Sequence, residues 1–368
     1  MSEVTKPILL DETGQSIVTK LDDIKEAILK NIAKADPVKI SVVTPPTKTS
    51  YLIGETIDLT GIVVCAYFNN DAIVDVTEQC VFTPSQGQLA TGSVITATWE
   101  WYATGDTFTA TTPISVEVVT WASGTDAQIA TVLNAHYNGT IDLSDYWNIG
   151  DERTVTVSAM EADSPLIDEH GQQDVTFVLA NVGGKELVTP INNVDTCAFV
   201  VVMKVPLAAD NGTNAQKGWL NADTSSPGVG WKDSDRRNWC NTVFYNALPS
   251  TTKALFKLHK NISVHGGSDM TEYISEDYFA IPAMKELIGV DDTTYDSTIE
   301  TTIENKSTQF ELYENTSDRT TGTRAFYTRT PDTRDGDTIY TYVYSPGNDS
   351  LSASTSASNN AIKVFGVI

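Results

Sequence analysis

The stretch VVTPPTKTSYLIGETIDLTGIVV, residues 42–64, carries the densest structural signal in the chain. It starts with apolar residues, passes through Pro45 and Pro46, and ends on the alternation of Ile62 and Val64. Alternating apolar residues indicate strands that are buried on one face, and proline and glycine mark the turns between them. The stretch therefore predicts short strands joined by tight turns.

The same alternation continues on both sides of this stretch, across residues 37–120. The strand-like groups are Val38, Ile40 and Val42; Ile57, Leu59, Ile62 and Val64; Val94, Thr96 and Thr98; and Ile114, Val116 and Val118. Turn residues separate these groups at the spacing of a small antiparallel sandwich. Residues 37–120 are predicted to form one all-β domain.

The opening stretch closely resembles the third group of bacterial immunoglobulin-like domains, in which a run of the form PPTKTxYxxGExxDLTGxxV begins the fold. The matching positions extend from Pro45 through Tyr51, Gly54 and Gly61 to Val64. The resemblance implies an immunoglobulin-like β-sandwich that serves as a spacer or stalk on bacterial surface proteins and phage particles. It implies presentation of another domain and no chemistry of its own.

The first 36 residues form a separate segment with helical periodicity. Its apolar positions, spaced by three or four, are Ile17, Leu21, Ile24, Ile28 and Ile32. They predict an amphipathic helix that ends before Pro37. A helix of about 18 residues is marginal alone in water, so its apolar stripe must be covered. The helix either packs on its own chain or forms a short bundle of copies or an anchor in a larger assembly.

Residues 121–368 mix strand and helix patterns and are predicted to form an α+β domain. Strands are predicted near residues 155–157 and 175–179 and from Ala325 onward. Helices are predicted toward residue 245, with Ser234 or Asp235 as the cap, at 250–258, and near 282–288 and 298–313. Periodicity alone does not name the fold of this domain.

Several landmarks of this domain are similar, in their order, to a widespread uncharacterised domain family of Firmicutes proteins and their phages. The landmarks are Trp147 with residues 149–151, the strand at 175–180, GWKDSDRR at 230–237, FYNALP at 244–249, RAFYTRTP at 324–331 and IKVF at 362–365. That family is similar to C-type-lectin-like and sulfatase-modifying-factor-like folds. The resemblance therefore implies a compact, helix-flanked sheet that presents long irregular loops.

Composition excludes several classes of partner. The 48 acidic residues outnumber the 24 Lys and Arg residues, giving a net charge of −24, which repels a nucleic-acid backbone. No run approaches the roughly 18 to 20 apolar residues that span a bilayer, and no signal peptide is evident, so we expect no membrane insertion. The four cysteines lack metal-ligand or redox-motif spacing, so no metal site and no cofactor are predicted.

The tail carries the candidate ligand-binding residues: Tyr340, Tyr342, Tyr344, Asp335, Asp337, Asn348 and Asp349. The three tyrosines alternate along a predicted strand and so share one face. Tyrosine rings and small polar groups make good recognition surfaces. The three tyrosines can equally be interpreted as an ordinary exposed face of a sheet. The acidic loop at 332–337 is either a solvated turn or a calcium site.

No catalytic residue is predicted. The four histidines, His136, His170, His259 and His265, lack a serine, cysteine or aspartate at triad spacing. Cys197 and Cys240 lie among apolar residues, where a reactive thiolate is disfavoured. The chain is therefore predicted not to be an enzyme.

Together these observations predict a bacteriophage virion surface protein, a head fibre or tail appendage, that is made in the host cytoplasm. Residues 1–36 would bind other virion proteins of the capsid or tail and form a homo-oligomer, with a trimer favoured. Residues 37–120 would act as a spacer, and residues 121–368 would bind a host-surface glycan or protein. Two alternatives stay open: a capsid-decorating structural protein without a host ligand, and an enzyme that degrades cell-wall polysaccharide.

Overall fold

The computed structural model describes residues 35–84, 94–160, 171–207, 230–266, 269–289, 308–319, 325–332, 340–346, 350–353 and 362–368. The chain divides into two compact units, Met1–Glu117 and Val118–Ile368. Strands dominate both units, so the fold is β-rich and multidomain. The predicted helix with Ile17, Leu21, Ile24, Ile28 and Ile32 lies outside the described residues.

Within the part of the first unit that the structure describes, the strands form three small sheets. The sheets are β1 (Pro37–Thr44), β3 (Val63–Phe68) and β4 (Ile73–Asp75), antiparallel in that order; β2 (Ser50–Leu52), parallel to β8 (Ser115–Glu117); and β5 (Val81–Thr83), β6 (Val94–Glu100) and β7 (Thr107–Pro113), antiparallel in that order. Phe68, Trp99 and Trp101 form the aromatic centre, with ring centroids 5.4 to 6.5 Å apart. In β6 the buried face carries Ile95, Ala97 and Trp99, whereas the predicted group Val94, Thr96 and Thr98 lies on the opposite face.

Tyr51 organises the opening stretch of the sequence. Its side chain is buried, its hydroxyl donates to the Lys48 carbonyl oxygen at 2.9 Å, and it accepts from the Asp58 amide nitrogen at 3.1 Å. These bonds hold the segment after β2 as an irregular loop. The strand predicted at Ile57 and Leu59 is therefore wrong, because side-chain hydrogen bonds replace a ladder there.

A second pair of contacts closes the same loop. The Thr47 amide and hydroxyl both donate to the Thr60 carbonyl oxygen at 2.9 Å. Gly61 has a φ of +83°, and a Cβ there would lie 2.8 Å from Thr47 Oγ1. Both the backbone conformation and the close approach require glycine. A residue with a side chain at position 61 would therefore strain this turn.

The described residues of the second unit form three sheets. The first sheet has five strands, which pair in the order β16 (Phe279–Ala280), β20 (Phe365–Val367), β13 (Phe199–Met203), β10 (Gln173–Val182) and β9 (Glu152–Val157). The second has four, in the order β12 (Val194–Thr196), β11 (Glu186–Ile191), β14 (His259–Gly266) and β15 (Asp269–Asp277). The third has three, in the order β17 (Phe326–Asp332), β18 (Tyr340–Ser345) and β19 (Ser350–Ala353). The strands predicted near 155–157 and 175–179 are confirmed as parts of β9 and β10. Every residue of β13 is buried, which places the core at the five-stranded sheet.

Short helices surround these sheets. They are α1 (Asp126–Tyr137), α2 (Asp235–Trp239), a π-helical turn (Cys240–Phe244), α3 (Tyr245–Ala247), α4 (Ser250–Lys253), α5 (Met284–Ile288) and α6 (Thr316–Arg319), with 3₁₀ turns at Leu143–Asp145, Trp231–Asp233 and Glu311–Glu314. In the first unit a 3₁₀ turn spans Thr77–Gln79. None of the described helices is long and apolar enough to cross a membrane.

The helix predicted from Ser234 is confirmed, since the Ser234 side chain accepts from the Arg237 amide at 3.1 Å and caps α2. The helix predicted over 250–258 ends at Lys253, so that prediction is wrong beyond this residue. Leu255 and Phe256 turn into the core instead, and the Lys257 amide donates to the Val367 carbonyl oxygen at 2.9 Å. Burial of two large apolar side chains outweighs helix propensity here.

Candidate functional site

The hairpin of β14 and β15 has a polar inner face. The inward side chains, each at most 2% exposed, are His259, Asn261, Ser263, Ser275 and Asp277. Ile262 and Ile274 pair with each other on the opposite face, where Ile274 is 52% exposed. A strand that covers a core normally turns its apolar residues inward. This hairpin does the reverse, and its inner face needs specific partners.

Asp277 is the main acceptor of that inner face. Its carboxylate oxygens accept hydrogen bonds from Trp231 Nε1 at 3.0 Å, Asn261 Nδ2 at 3.1 Å, Ser275 Oγ at 2.6 Å, Arg237 Nε at 2.5 Å and Asn241 Nδ2 at 3.2 Å. A buried carboxylate is costly unless it is paired and hydrogen-bonded. Asp277 meets both conditions, and in doing so it joins the hairpin to the segment that carries α2.

A second buried cluster centres on Glu286 in α5. Its carboxylate pairs with Arg329 through both oxygens, with Nη1 2.6 Å from Oε2, and with Lys185 Nζ through Oε1. Its Oε2 also accepts from the Ala283 amide at 2.8 Å. Burial alone would raise the pKa of Glu286, but Arg329 and Lys185 outweigh it and hold the pKa well below its usual range. Glu286 is therefore an anion shared by two cations.

Lys185 connects the two clusters. Its ammonium nitrogen lies 3.4 Å from Asn261 Oδ1, and Asn261 in turn donates to Asp277. Burial lowers the pKa of Lys185, and Glu286 partly offsets that effect. A continuous polar network thus runs from β17 through α5 and β11 to the inner face of the hairpin. This network holds the four-stranded sheet in place from its inner side, while the opposite face of the same sheet carries Ile262 and Ile274.

His259 lies beside this network and is not bonded to it, since among the described residues neither of its ring nitrogens has a hydrogen-bond partner. Burial, followed by the charge of Lys185, lowers its pKa to about 4. The imidazole is therefore neutral at pH 7. It is fully buried, with its ring centroid 5.4 Å from that of Phe365, and so contributes to the core.

The outer face of the same sheet forms a groove of about 370 Å³. Its lining residues are Gly184, Lys185, Glu186, Thr196, Lys260, Ile262 and Ile274. Lys260 Nζ pairs with Glu186 Oε1 at the surface. Such an exposed pair contributes no more than about 1 kcal/mol, so both groups are free to exchange partners with a ligand. The groove thus combines hydrogen-bonding groups with two apolar side chains.

Of the tail residues predicted to bind ligand, Tyr344 is the one whose side chain the structure describes, and it does not line this groove. Tyr344 is fully buried, and its ring centroid lies 5.3 Å from that of Phe326. A ring without exposed surface does not contact a ligand in this conformation, so Tyr344 has a place in the core. The side chains of Tyr340 and Tyr342, and the residues Asp335, Asp337, Asn348 and Asp349, lie outside the described part of the structure. Ligand binding by these six residues stays a prediction.

The buried thiols have little nucleophilic character. All four cysteines are free, with Cys197 and Cys240 buried. Burial raises the pKa of Cys197 to about 12 and raises that of Cys240 further. Within the described ranges, no group of three or more His, Cys, Asp or Glu side chains is placed to hold a metal ion.

The sequence contained a signal for the hairpin that composition and motif arguments did not use. Residues 259–277 alternate on both sides of Gly266 and Gly267, and a Gly-Gly pair between alternating runs is typical of a hairpin. The alternation would, however, have predicted Ile262 and Ile274 in the core. The hydrogen bonds of Asp277 instead turn the polar face of the hairpin inward and the isoleucines outward. The partners of Asp277 come from segments distant in sequence, so the local pattern does not show them.

Comparisons with known proteins bear on the second unit. Residues 210–364 match a family described as a domain of unknown function (DUF6273). The match covers less than half of the chain but includes β14, β15, Glu286 and Arg329. This region is thus similar to that family. No curated protein matches the chain.

Proposed function

We propose that the chain is a bacteriophage virion surface protein, a head fibre or tail appendage, whose second unit binds a glycan on the host surface. In this proposal the first unit is an immunoglobulin-like spacer and the second has a C-type-lectin-like fold. The observation that carries the binding role is the groove on the outer face of the inverted hairpin.

The inversion itself supports a ligand on this face. Turning Ile262 and Ile274 outward leaves apolar surface in water, while Asp277 and its neighbours occupy the interior. Burying a complete isoleucine side chain contributes about 1.5–3 kcal/mol, so covering the exposed half of Ile274 would contribute about 1 kcal/mol to binding. Conflicts between local pattern and fold concentrate at functional sites.

The chemistry of the groove suits a sugar. Its volume of about 370 Å³ falls in the range of roughly 300–1,000 Å³ that is common for small-ligand sites. Lys260 and Thr196 can donate hydrogen bonds to hydroxyl oxygens, and Glu186 can accept from hydroxyl groups. The two isoleucines offer apolar contact to the C–H face of a pyranose ring.

The arrangement of carboxylates supports binding over hydrolysis. Of the described residues that line the groove, Glu186 alone carries a carboxylate. Most glycosidases need a pair of carboxyl groups that flank the scissile bond. Asp277 and Glu286 are committed to buried donors on the far side of the sheet. The proposal therefore assigns no enzymatic activity to the groove.

The proposal gives residues 1–36 the role of attachment to other virion proteins and of trimer formation through Ile17, Leu21, Ile24, Ile28 and Ile32. Light scattering of the full chain should give three times the chain mass of 40.0 kDa. The variant Ile24→Asp/Ile28→Asp should give a single chain mass, because charges on the stripe oppose its burial. Equal masses for both proteins would remove the oligomerisation role.

The binding role is tested with the full chain on intact host cells and on an array of bacterial wall glycans. We expect binding by the wild type and a loss of at least tenfold in Ile274→Asp, since the new charge would be desolvated by the ligand. Ile73→Asp is the matched control, because Ile73 is 61% exposed in the first unit.

Three results would contradict the proposal. Absence of binding to every cell and glycan tested would favour a capsid-decorating role. Equal binding by wild type and Ile274→Asp would exclude the groove. Release of reducing sugar from purified wall would favour the polysaccharide-degrading enzyme.

A further inference from the structure

A second, smaller cavity of about 80 Å³ lies in the second unit. None of its described lining residues also lines the groove. Its polar lining comes from Lys363 and Tyr313, with Glu152, Lys204 and Asp318 beside them. Lys204 Nζ lies 2.6 Å from Glu152 Oε1, and both side chains are partly exposed. The cavity therefore reaches the surface at an ion pair whose charges offset each other.

Lys363 brings an unusual charge into this cavity. Its side chain is 2% exposed, and its ammonium nitrogen lies 5.0 Å from the Tyr313 ring centroid and 5.3 Å from that of Phe326. Two aromatic faces stabilise a cation only in part. Burial lowers the pKa of Lys363 to about 8, so the amine is mostly protonated at pH 7. Among the described residues no carboxylate lies within ion-pair distance of it.

Tyr313 adds an unused donor to the same cavity. Its side chain is fully buried, and its hydroxyl has no hydrogen-bond partner among the described residues. Burial, followed by the charges of Tyr344 and Asp318, raises its pKa, so the hydroxyl stays neutral and able to donate. A buried cation and a buried unpaired hydroxyl are both costly, and here they line one space.

We propose that this cavity binds a small monocarboxylate, with the Lys363 ammonium and the Tyr313 hydroxyl donating to its two oxygens. The size of the cavity limits the ligand. A space of about 80 Å³ has room for a group of acetate's dimensions. The site stands independently of the virion role and of the groove.

The test is a titration of the full chain, carrying ¹³C-labelled lysine, with sodium acetate. The Lys363 resonance is identified by its loss in Lys363→Met, and its apparent pKa is measured with and without acetate. Bound acetate should raise that pKa by at least one unit, because the anion favours the protonated amine. Acetate binding should weaken above pH 8, where the free amine loses its proton.

Three variants sharpen the test. Lys363→Met should abolish acetate binding, and Tyr313→Phe, which keeps the ring over Lys363, should weaken it about fivefold to tenfold through the loss of one hydrogen bond. Lys257→Met is the matched control, because Lys257 is half-buried with a pKa that burial also lowers. An unchanged Lys363 pKa in saturating acetate, or equal binding by Tyr313→Phe and wild type, would overturn the site.

Discussion

Replacing Glu286 by glutamine removes one charge from the centre of the buried network and leaves its shape unchanged. In the native chain this carboxylate neutralises Arg329 and Lys185, and all three side chains are at most 9% exposed. The amide would leave two cations together in the interior. Removing one partner of a buried ion pair costs about 3–5 kcal/mol, and we expect Glu286→Gln to fall in that range.

Scanning calorimetry of the full chain measures this effect as a change in the melting of the second unit. A domain of this size loses roughly 2–4 °C per kcal/mol, so the expected fall is roughly 6–20 °C. Lys185→Met should cost less, about 1–2 kcal/mol, because Glu286 keeps its two-oxygen contact with Arg329. The melting of the first unit should not change.

The triple variant Lys185→Met/Glu286→Met/Arg329→Met separates charge from packing. Replacing a complete buried ion cluster by apolar residues of similar volume is often close to neutral, so this variant should melt well above Glu286→Gln. A Glu286→Gln variant within about 1 kcal/mol of the wild type would refute the reasoning, since most surface substitutions stay inside that interval.

Two further predictions concern other parts of the chain. Tyr51→Phe should cost about 1–3 kcal/mol in the first unit alone, because the Lys48 carbonyl and Asp58 amide lose their buried partner; Tyr102→Phe, at an exposed tyrosine of the same unit, should change nothing in the same chemical denaturation series. The pKa of His259 is about 4 in the folded chain and 6.5 in the unfolded chain. The stability that the neutral, buried imidazole contributes is therefore complete above pH 6.5 and is lost as the pH falls toward 4, because the unfolded chain takes up the proton first. Over that interval the wild type should lose roughly 3 kcal/mol more than His259→Leu, and equal acid sensitivity would show that His259 is not buried and neutral.

The elements that were predicted correctly are those whose signal is local. The alternation at Val38, Ile40 and Val42 identifies β1, and Ser234 identifies the start of α2 by its capping side chain. In contrast, α1 was missed, although Thr125 and Gln128 form a capping box at its start. The irregular loop around Tyr51 replaced a predicted strand because its hydrogen bonds depend on tertiary contacts.

The candidate sites depend even more than the loop around Tyr51 on contacts between residues that are distant in sequence. Lys185, Glu286 and Arg329 are far apart in sequence, and each resembles an ordinary surface charge until the fold brings them together. Ile262 and Ile274 have the pattern of core residues, and only the partners of Asp277 turn them outward. The tail tyrosines suggested an exposed face, but Tyr344 packs on Phe326. Residue type and periodicity do not determine which face of a polar hairpin meets the core.

The proposed virion role predicts that the protein lies on the outer surface of the phage particle. Antibodies raised against the second unit can be used for immunogold electron microscopy of purified particles from lysates that contain this chain. The proposal predicts label on the outside of intact particles at fixed positions on the head or tail. Particles without label, with the protein remaining in the soluble fraction of the lysate, would contradict it.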